Sequence, residues 1–204
     1  MTLEAIKTHV DQNVAELIQS LPDITKLTKN QQRGIIARYT GALEPNFIAW
    51  MSATHISVSS QAAQQLTKKN VQEEASENHQ DMLNRFARAA KACPGAKDFD
   101  AIYKQVSAVR NFISGLDGVQ LLVSMAFFED FIAQFMPYLA QLAAERGSKD
   151  FQYTDVHSAG DVEHTKQLYA AVDAEMALNP TAVNAEIFQG VKTIRNMIEA
   201  VLKI

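Results

Sequence analysis

The sequence has little of what β-structure, disulfide scaffolds and exported proteins require. Its 204 residues include 8 glycines, 5 prolines and one cysteine, Cys93, which excludes a disulfide within the chain. A single thiol favours a reducing compartment, so we expect the protein in the cytoplasm. The opening MTLEAIKTHVDQN lacks both the apolar segment of a secretory signal and the Arg-rich composition of a transit peptide. Stretches of alternating polarity are nearly absent, which argues against a β-protein.

No long run of one charge sign occurs either. The 19 Lys and Arg residues against 23 Asp and Glu residues give a net charge of -4. Because nucleic acids and anionic membranes are bound through basic patches, we expect neither as a partner and predict a small-molecule ligand or a protein partner. The longest apolar run, VQLLVSMAFFEDFIAQFMPYLAQLAA, carries Glu129 and Asp130 near its middle, which would be costly in lipid. It is therefore predicted to be a buried helix of a soluble protein.

Helical periodicity runs through the whole chain. The pattern predicts an all-α fold, a compact bundle of about seven helices in one domain over residues 1–204. The expected segments are about 2–21, 29–51 with a kink at Pro45, 60–75, 76–91, 98–114, 119–146, a helix capped by Thr154, and 181–202. Starts are predicted at Ser76, at Asp98 or Asp100, and at Thr154. The last helix is amphipathic, and a homodimer face is expected there.

The stretch HSAGDVEH places two of the five histidines around an aspartate. On a helix, His157, Asp161 and His164 occupy positions i, i+4 and i+7, which lie within roughly 60° of one another. Three ligand-type side chains can therefore converge on one point. The alternative is a solvated face, with Asp161 paired to a lysine.

Glu129 has apolar neighbours on its own helical face: Leu122, Met125, Ile132 and Met136. A carboxylate in such surroundings must be paired or must bind a metal. The alternative places Glu129 at the edge of its helix, with Asp130 in water.

Two further acidic stretches precede these motifs. NVQEEASENH holds Glu73, Glu74 and Glu77 within a turn or two of His79, and by itself it also fits a solvated acidic face. Glu44 lies at the predicted kink beside Pro45. Carboxylates and imidazoles without thiolates suit iron or manganese, and bundles build two-metal sites from such groups on facing helices. The ferritin-like spacing, two Glu-x-x-His pairs, is not present here.

The order of these motifs resembles the haem-oxygenase-like di-iron oxidases and oxygenases. That family's pattern is a Glu on the first core helix, NxxEE followed by a His, a lone Glu in an apolar helix, and His-x-x-x-Asp-x-x-His. The chain has Glu44, NVQEE with His79, Glu129 in AFFEDF, and His157 to His164, in that order. The resemblance implies a haem-oxygenase-like bundle that binds two Fe(II) ions, with manganese as an alternative.

The resemblance also implies which side chains hold each ion. One iron would be held by Glu44, Glu74, Glu129 and His157, and the other by Glu74, His79, Asp161 and His164. Glu74 would bridge them, and Glu73 or Glu77 can take its place because the Glu-to-His interval varies.

The activity implied is oxidation of a small organic substrate by O2. The substrate class is an amino acid, an amine or a fatty acid, and the outcome is desaturation, fragmentation or N-oxygenation. An apolar chamber is expected from Phe47, Trp50, Met125 and Ile132. Tyr39 and Tyr153 lie near predicted ligands in sequence, so either is a candidate for oxidation, the alternative being a packed tyrosine with a bonded hydroxyl.

Three other functions are compatible with an all-α chain. A haem oxygenase would use His9 as its proximal ligand, with Gly115 and Gly118 close to a planar ligand. A cofactor-free, thiaminase-like hydrolase would need Cys93 as a nucleophile. A non-catalytic helical interaction protein would leave Glu129 exposed and bind no iron.

Overall fold

The computed structural model describes residues 1–76, 78–180 and 185–204, and within these ranges all regular structure is helical. This confirms the predicted all-α fold. Two 3-10 turns, Ile24–Lys26 and Ala185–Phe188, accompany the α-helices of the described ranges. These are α1 (Leu3–Gln19), α2 (Lys29–Leu43), α3 (Phe47–Ser57), α4 (Gln61–Ser76), α5 (His79–Ala89), α6 (Ala96–Ile113), α7 (Gly118–Glu145), α8 (Gln152–Leu178) and α9 (Gln189–Leu202).

Helix α7 is the axis of the bundle and packs against α1, α3, α8 and α9. Its residues from Val119 to Glu129 are all buried, which is the pattern of a helix enclosed by others, whereas Gln134, Pro137 and Gln141 are exposed further along. By length and composition alone it could cross a membrane, but 89% of its most apolar window is buried inside the bundle. The burial agrees with the predicted core helix.

The predicted kink at Pro45 is a complete break between α2 and α3. The Asn46 side chain fixes the geometry of this break. Its amide donates to the Ala42 carbonyl (2.7 Å), and its oxygen accepts from the Arg110 guanidinium (2.7 Å). The break is therefore tied to α6 through a buried polar contact.

Three predicted helix starts are wrong by a few residues. Ser76 ends α4 instead of capping α5. Asp98 lies in the first turn of α6, where its carboxylate accepts from the Gly95 backbone N–H (2.9 Å). Thr154 lies in the first turn of α8, and its hydroxyl donates to the Phe151 carbonyl (2.9 Å).

The last helix packs within its own chain. The predicted start at Thr181 lies outside the described residues, and α9 begins at Gln189. Its apolar side is buried against α6 and α7. A homodimer, which stays a prediction, would therefore use another surface.

The break between α4 and α5 sets the direction of two side chains. Residue i+5 of an uninterrupted helix projects roughly 140° away from residue i. Asn78, which precedes α5, has φ 55°, a left-handed conformation that redirects the chain. His79 is thereby turned toward Glu74 of the preceding helix, and their side chains make contact (2.7 Å).

Helix α4 is also anchored to α8 at its other end. One Glu175 oxygen of α8 accepts hydrogen bonds from the backbone N–H groups of Ser59 (2.7 Å) and Ser60 (2.5 Å). Ser59 and Ser60 immediately precede α4, so the carboxylate fixes the segment from which this helix starts.

Gly190 allows α9 to lie close to α6 and α7, and its substitution tests that packing. A Cβ atom there would collide with the Ser124 hydroxyl and the Phe112 ring. We expect Gly190→Ala to lower the free energy of unfolding by about 1–3 kcal/mol through overpacking, measured by urea denaturation. Gly160→Ala is the matched control, because a Cβ on Gly160 has no heavy atom within 4 Å. It should raise stability by roughly 0.5–1 kcal/mol through helix propensity, and equal effects would contradict the packing argument.

Candidate metal centre

Four helices bring six ligand-type side chains together in the core. All six are 8% exposed or less. They come from α4, α5, α7 and α8, and are Glu74, His79, Glu129, His157, Asp161 and His164. Every one was a predicted ligand, and together they account for all the predicted ligands except Glu44.

Within this set, the structure forms two groups around one shared carboxylate. Glu74, His79 and His157 make one group, and Glu74, Asp161 and His164 make the other, with one ligand atom from each residue within 4.8 Å of the others. The resemblance placed His79 with Asp161 and His164. Here His79 lies beside His157 instead, with ring centroids 4.5 Å apart.

The second group extends to Glu129. The Nδ1 atom of His164 lies 3.6 Å from Glu74 Oε1, 3.9 Å from Glu129 Oε1 and 3.9 Å from Asp161 Oδ1. One imidazole nitrogen thus faces three carboxylates from three helices.

Four of the six residues share one pattern of hydrogen bonding. One side-chain atom of each forms a hydrogen bond with a neighbour. Glu74 Oε2 bonds to His79 (2.7 Å), and His164 Nε2 bonds to Glu73 (3.2 Å). His157 Nδ1 and Asp161 Oδ1 bond to each other (3.0 Å). The other atom of each is buried without a hydrogen-bond partner among the described residues: Glu74 Oε1, His157 Nε2, Asp161 Oδ2 and His164 Nδ1. Each side chain is held in place through one atom, and its other atom is available to bind a metal ion.

Glu129 departs from this pattern, since both of its carboxylate oxygens are buried without a partner in the described part of the chain. A buried polar group left unsatisfied costs about 1–3 kcal/mol, and more when it is charged. Bound cations would satisfy all of these atoms at once. The residues therefore fit a metal centre.

Electrostatics support the same conclusion. Burial raises the pKa of Glu129 well above its ordinary value, and the nearby Asp161 and Glu74 carboxylates raise it further. Burial also raises the pKa of Asp161, although its hydrogen bond with His157 opposes the shift. In the described part of the chain, the ion-pair partners of these three carboxylates are histidines only. No lysine or arginine of the described residues neutralises them, so their charge is removed either by protonation or by bound cations.

Of the two alternative glutamates that the structure describes, Glu74 is the one that enters the core. Glu73 lies on the outer side of α4, where it contacts His164 and, at 3.7 Å, Lys69. Glu77 lies outside the described residues. The two adjacent glutamates thus have different positions. The Glu74 carboxylate lies in the centre, whereas the Glu73 carboxylate contacts His164 from the outer side of α4.

Glu44 does not join the cluster. It is half-buried at the break between α2 and α3, and its Oε1 accepts from Gln80 Nε2 (2.7 Å) and Asn84 Nδ2 (3.3 Å). Sequence reasoning missed both amides. The only signal for them was their i, i+4 spacing on one helix.

A cavity of about 100 Å³ reaches the centre from the side of Glu44. Its inner end is formed by Glu74, His79, Tyr153 and His157, and its walls are Leu43, Phe47, Ile48, Leu83 and Ile132. Phe47 and Ile132 were predicted to line such a chamber. Trp50 and Met125 were predicted too, but they are buried in the core and do not border it.

A second cleft, of about 220 Å³ and lined mostly by polar residues, also reaches the centre. It is bordered by Glu73, Asp161 and His164 together with surface residues such as Lys69 and Glu163. The centre therefore has an apolar approach and a polar one.

The two candidate tyrosines form a buried pair next to the centre. Their hydroxyls are 2.9 Å apart, and the Tyr153 ring lies 4.4 Å from the His157 ring. Burial raises the pKa of both hydroxyls well above the ordinary value of tyrosine, so both stay protonated.

The residues needed by the other functions are placed differently. His9 stacks on Phe188 (3.8 Å between centroids), and a Cβ on Gly118 would collide with the Ser57 carbonyl, so Gly118 borders backbone rather than a ligand space. Cys93 is exposed. Glu129 is 1% exposed, so the expectation of an exposed Glu129 is wrong.

A buried set of carboxylates and imidazoles, shared among four helices and free of thiolates, defines a helical-bundle protein with a centre suited to iron. The family model of the iron-containing redox enzymes matches residues 42–197 of this sequence. The chain therefore belongs to that family, which confirms the predicted family and supports an oxidoreductase activity that depends on iron. No curated protein sequence matches the chain.

Removing the charge of Glu129 tests how much the buried carboxylates destabilise the fold. In chelator-treated protein, we expect Glu129→Met to raise the free energy of unfolding by about 1 kcal/mol or more, because a side chain of similar length replaces a buried carboxyl group whose oxygens have no hydrogen-bond partner among the described residues. Urea denaturation measures the change. Glu163→Met, an exposed position on α8, is the control and should stay within about 0.5 kcal/mol. A loss of stability in Glu129→Met would show that the carboxylate is well satisfied without metal.

Proposed function

We propose that this protein is a non-haem di-iron enzyme that uses O2 to oxidise a small organic substrate. The observation that carries the proposal is the hydrogen-bonding pattern of the centre. Glu74, His157, Asp161 and His164 each have one atom held by a neighbour and one buried atom without a partner among the described residues. In metal proteins, ligands are oriented in this way by hydrogen bonds through their second atom.

Two ions are favoured over one by geometry. The two groups of ligand atoms share Glu74, so a bridging carboxylate is available between them. Three buried carboxylates, Glu74, Glu129 and Asp161, are available to hold the ions. The proposed ligands are the six clustered residues, and manganese is the alternative metal because it prefers the same donors.

The chain's own residues would prepare the site for oxidation. When bound, ferrous iron supplies the electrons that reduce O2. The walls of the cavity, Phe47, Leu83 and Ile132, keep water from the inner end and give an apolar substrate a place beside His157. Glu73 holds the His164 ring from the polar side, and the His157–Asp161 bond fixes both of those side chains on α8.

Ferrous titration of the chelator-treated protein under anaerobic conditions tests the proposed centre. We expect two iron ions per chain, counted by a ferrous chelator after desalting. His164→Ala should lose at least one ion, because its Nδ1 atom faces Glu74, Glu129 and Asp161. Mixing the ferrous protein with O2 should give a transient visible absorption that the variant lacks.

His9→Ala is the matched control for this titration. His9 lies against Phe188, outside the cluster, so the variant should bind two ions like the wild type. If neither the wild type nor the control binds iron, the di-iron proposal is wrong. If His9→Ala rather than His164→Ala loses iron, the metal lies elsewhere.

The tyrosine pair supports an additional prediction. The Tyr153 ring is 4.4 Å from the His157 ring. We therefore propose that Tyr153 is the side chain most readily oxidised when O2 reacts in the absence of substrate. Peptide mass spectrometry after O2 exposure should show modification of Tyr153 or Tyr39 in the ferrous protein and none in His164→Ala. Tyr103, 70% exposed on α6, is the internal control, and modification there alone would indicate oxidation by diffusing oxidants.

A further inference from the structure

The cavity beside the centre is lined by acidic side chains and lacks strongly basic ones among the described residues. Its lining residues include two carboxylates, Glu44 and Glu74, and two histidines, but no lysine or arginine among the described residues. Glu74 belongs to the proposed ligand set. Among the described residues, Glu44 is therefore the one charged side chain of the cavity that the clustered centre does not use.

Glu44 is held in place by neutral donors. The amides of Gln80 (2.7 Å) and Asn84 (3.3 Å) both donate to its Oε1 atom. No cationic side chain of the described residues forms an ion pair with it, and its other oxygen, Oε2, takes part in neither amide contact. A carboxylate fixed by two amides and lacking a counter-ion is prepared to receive a positively charged group.

Glu44 lies near the mouth of the cavity, so it would contact the outer end of a bound ligand. Gln80 and Asn78 are exposed and Ile48 is 39% exposed, so these residues mark the mouth of the cavity. The inner end beside Glu74 and His157 is buried, and the walls between are apolar. A ligand with a cationic head and a hydrocarbon body matches this order from mouth to centre.

We propose that the cavity binds a short-chain aliphatic amine as its ammonium ion, with Glu44 as the counter-ion and the carbon chain directed at the metal-binding residues. This inference rests on the proposed function, whose substrate class it narrows from amino acid, amine or fatty acid to amine. A fatty acid or other simple carboxylate would bring its negative charge next to Glu44 with no cationic side chain to pair it.

The volume limits the length of the chain. A cavity of about 150 Å³ holds benzene, so the 100 Å³ found here fits a body smaller than a benzene ring. Four carbons are a suitable probe length. n-Butylamine, which is charged at pH 7, sodium butyrate and butan-1-ol share this body and differ in the head group.

Isothermal titration calorimetry with these three probes tests the inference, on chelator-treated protein and on ferrous protein under anaerobic conditions. We expect n-butylamine to bind more tightly than butyrate and butanol in both forms, and more weakly as salt is added. Glu44→Gln should weaken n-butylamine roughly tenfold, because a hydrogen bond to a charged group is lost. The glutamine retains an oxygen that accepts from Gln80 and Asn84, so folding is preserved and is checked by urea denaturation.

Glu163→Gln is the matched control, since Glu163 is an exposed carboxylate on the polar cleft. It should leave the affinity for n-butylamine unchanged. The inference is overturned if butyrate binds as tightly as n-butylamine, if Glu163→Gln weakens binding as much as Glu44→Gln, or if Glu44→Gln loses an iron ion while keeping its amine affinity.

The two proposals fail in different ways. Failure of the wild type to bind iron, with selective amine binding intact, would refute the di-iron function and leave the assignment of the cavity standing. Two bound iron ions without selectivity for the amine would do the reverse.

Discussion

The structure depends on one electrostatic constraint: three carboxylates, Glu74, Glu129 and Asp161, are enclosed in a helical core without a lysine or arginine partner in the described residues. Their mutual repulsion and lost hydration oppose folding, so the protein keeps an unfavourable arrangement that hydrophobic packing elsewhere must offset. Such local instability is characteristic of functional sites, where stability is given up for chemistry. Bound iron would be attracted by the same carboxylates that repel one another in the metal-free protein.

The rest of the bundle holds these groups in place through contacts made at helix ends. Glu175 fixes the start of α4, the left-handed Asn78 turns His79 toward Glu74, and Asn46 with Arg110 fixes the break beside Glu44. Helices α7 and α8, which pack along each other, contribute the other four clustered side chains. The helices thus carry the proposed ligands, while the breaks between helices determine the direction of their side chains.

The two approaches to the centre differ in chemistry, which separates two tasks. The cleft beside Glu73 is polar and borders surface residues, so hydrated ions and protons can be accommodated there. The cavity beside Glu44 has apolar walls and an anionic mouth, which suits an organic cation. In the proposed function, the substrate reaches the centre through the cavity with apolar walls, which exclude water from the oxidising site.

The sequence by itself determined the helices, the burial of Glu129 and the shared face of His157, Asp161 and His164, because these follow from local periodicity and from spacing within one helix. Only the tertiary structure decided that Glu74 rather than Glu73 enters the core, that His79 lies beside His157, and that Glu44 stays at the cavity mouth. Those outcomes depend on how separate helices are rotated against one another and on where the chain breaks. Spacing along the sequence carries no record of either.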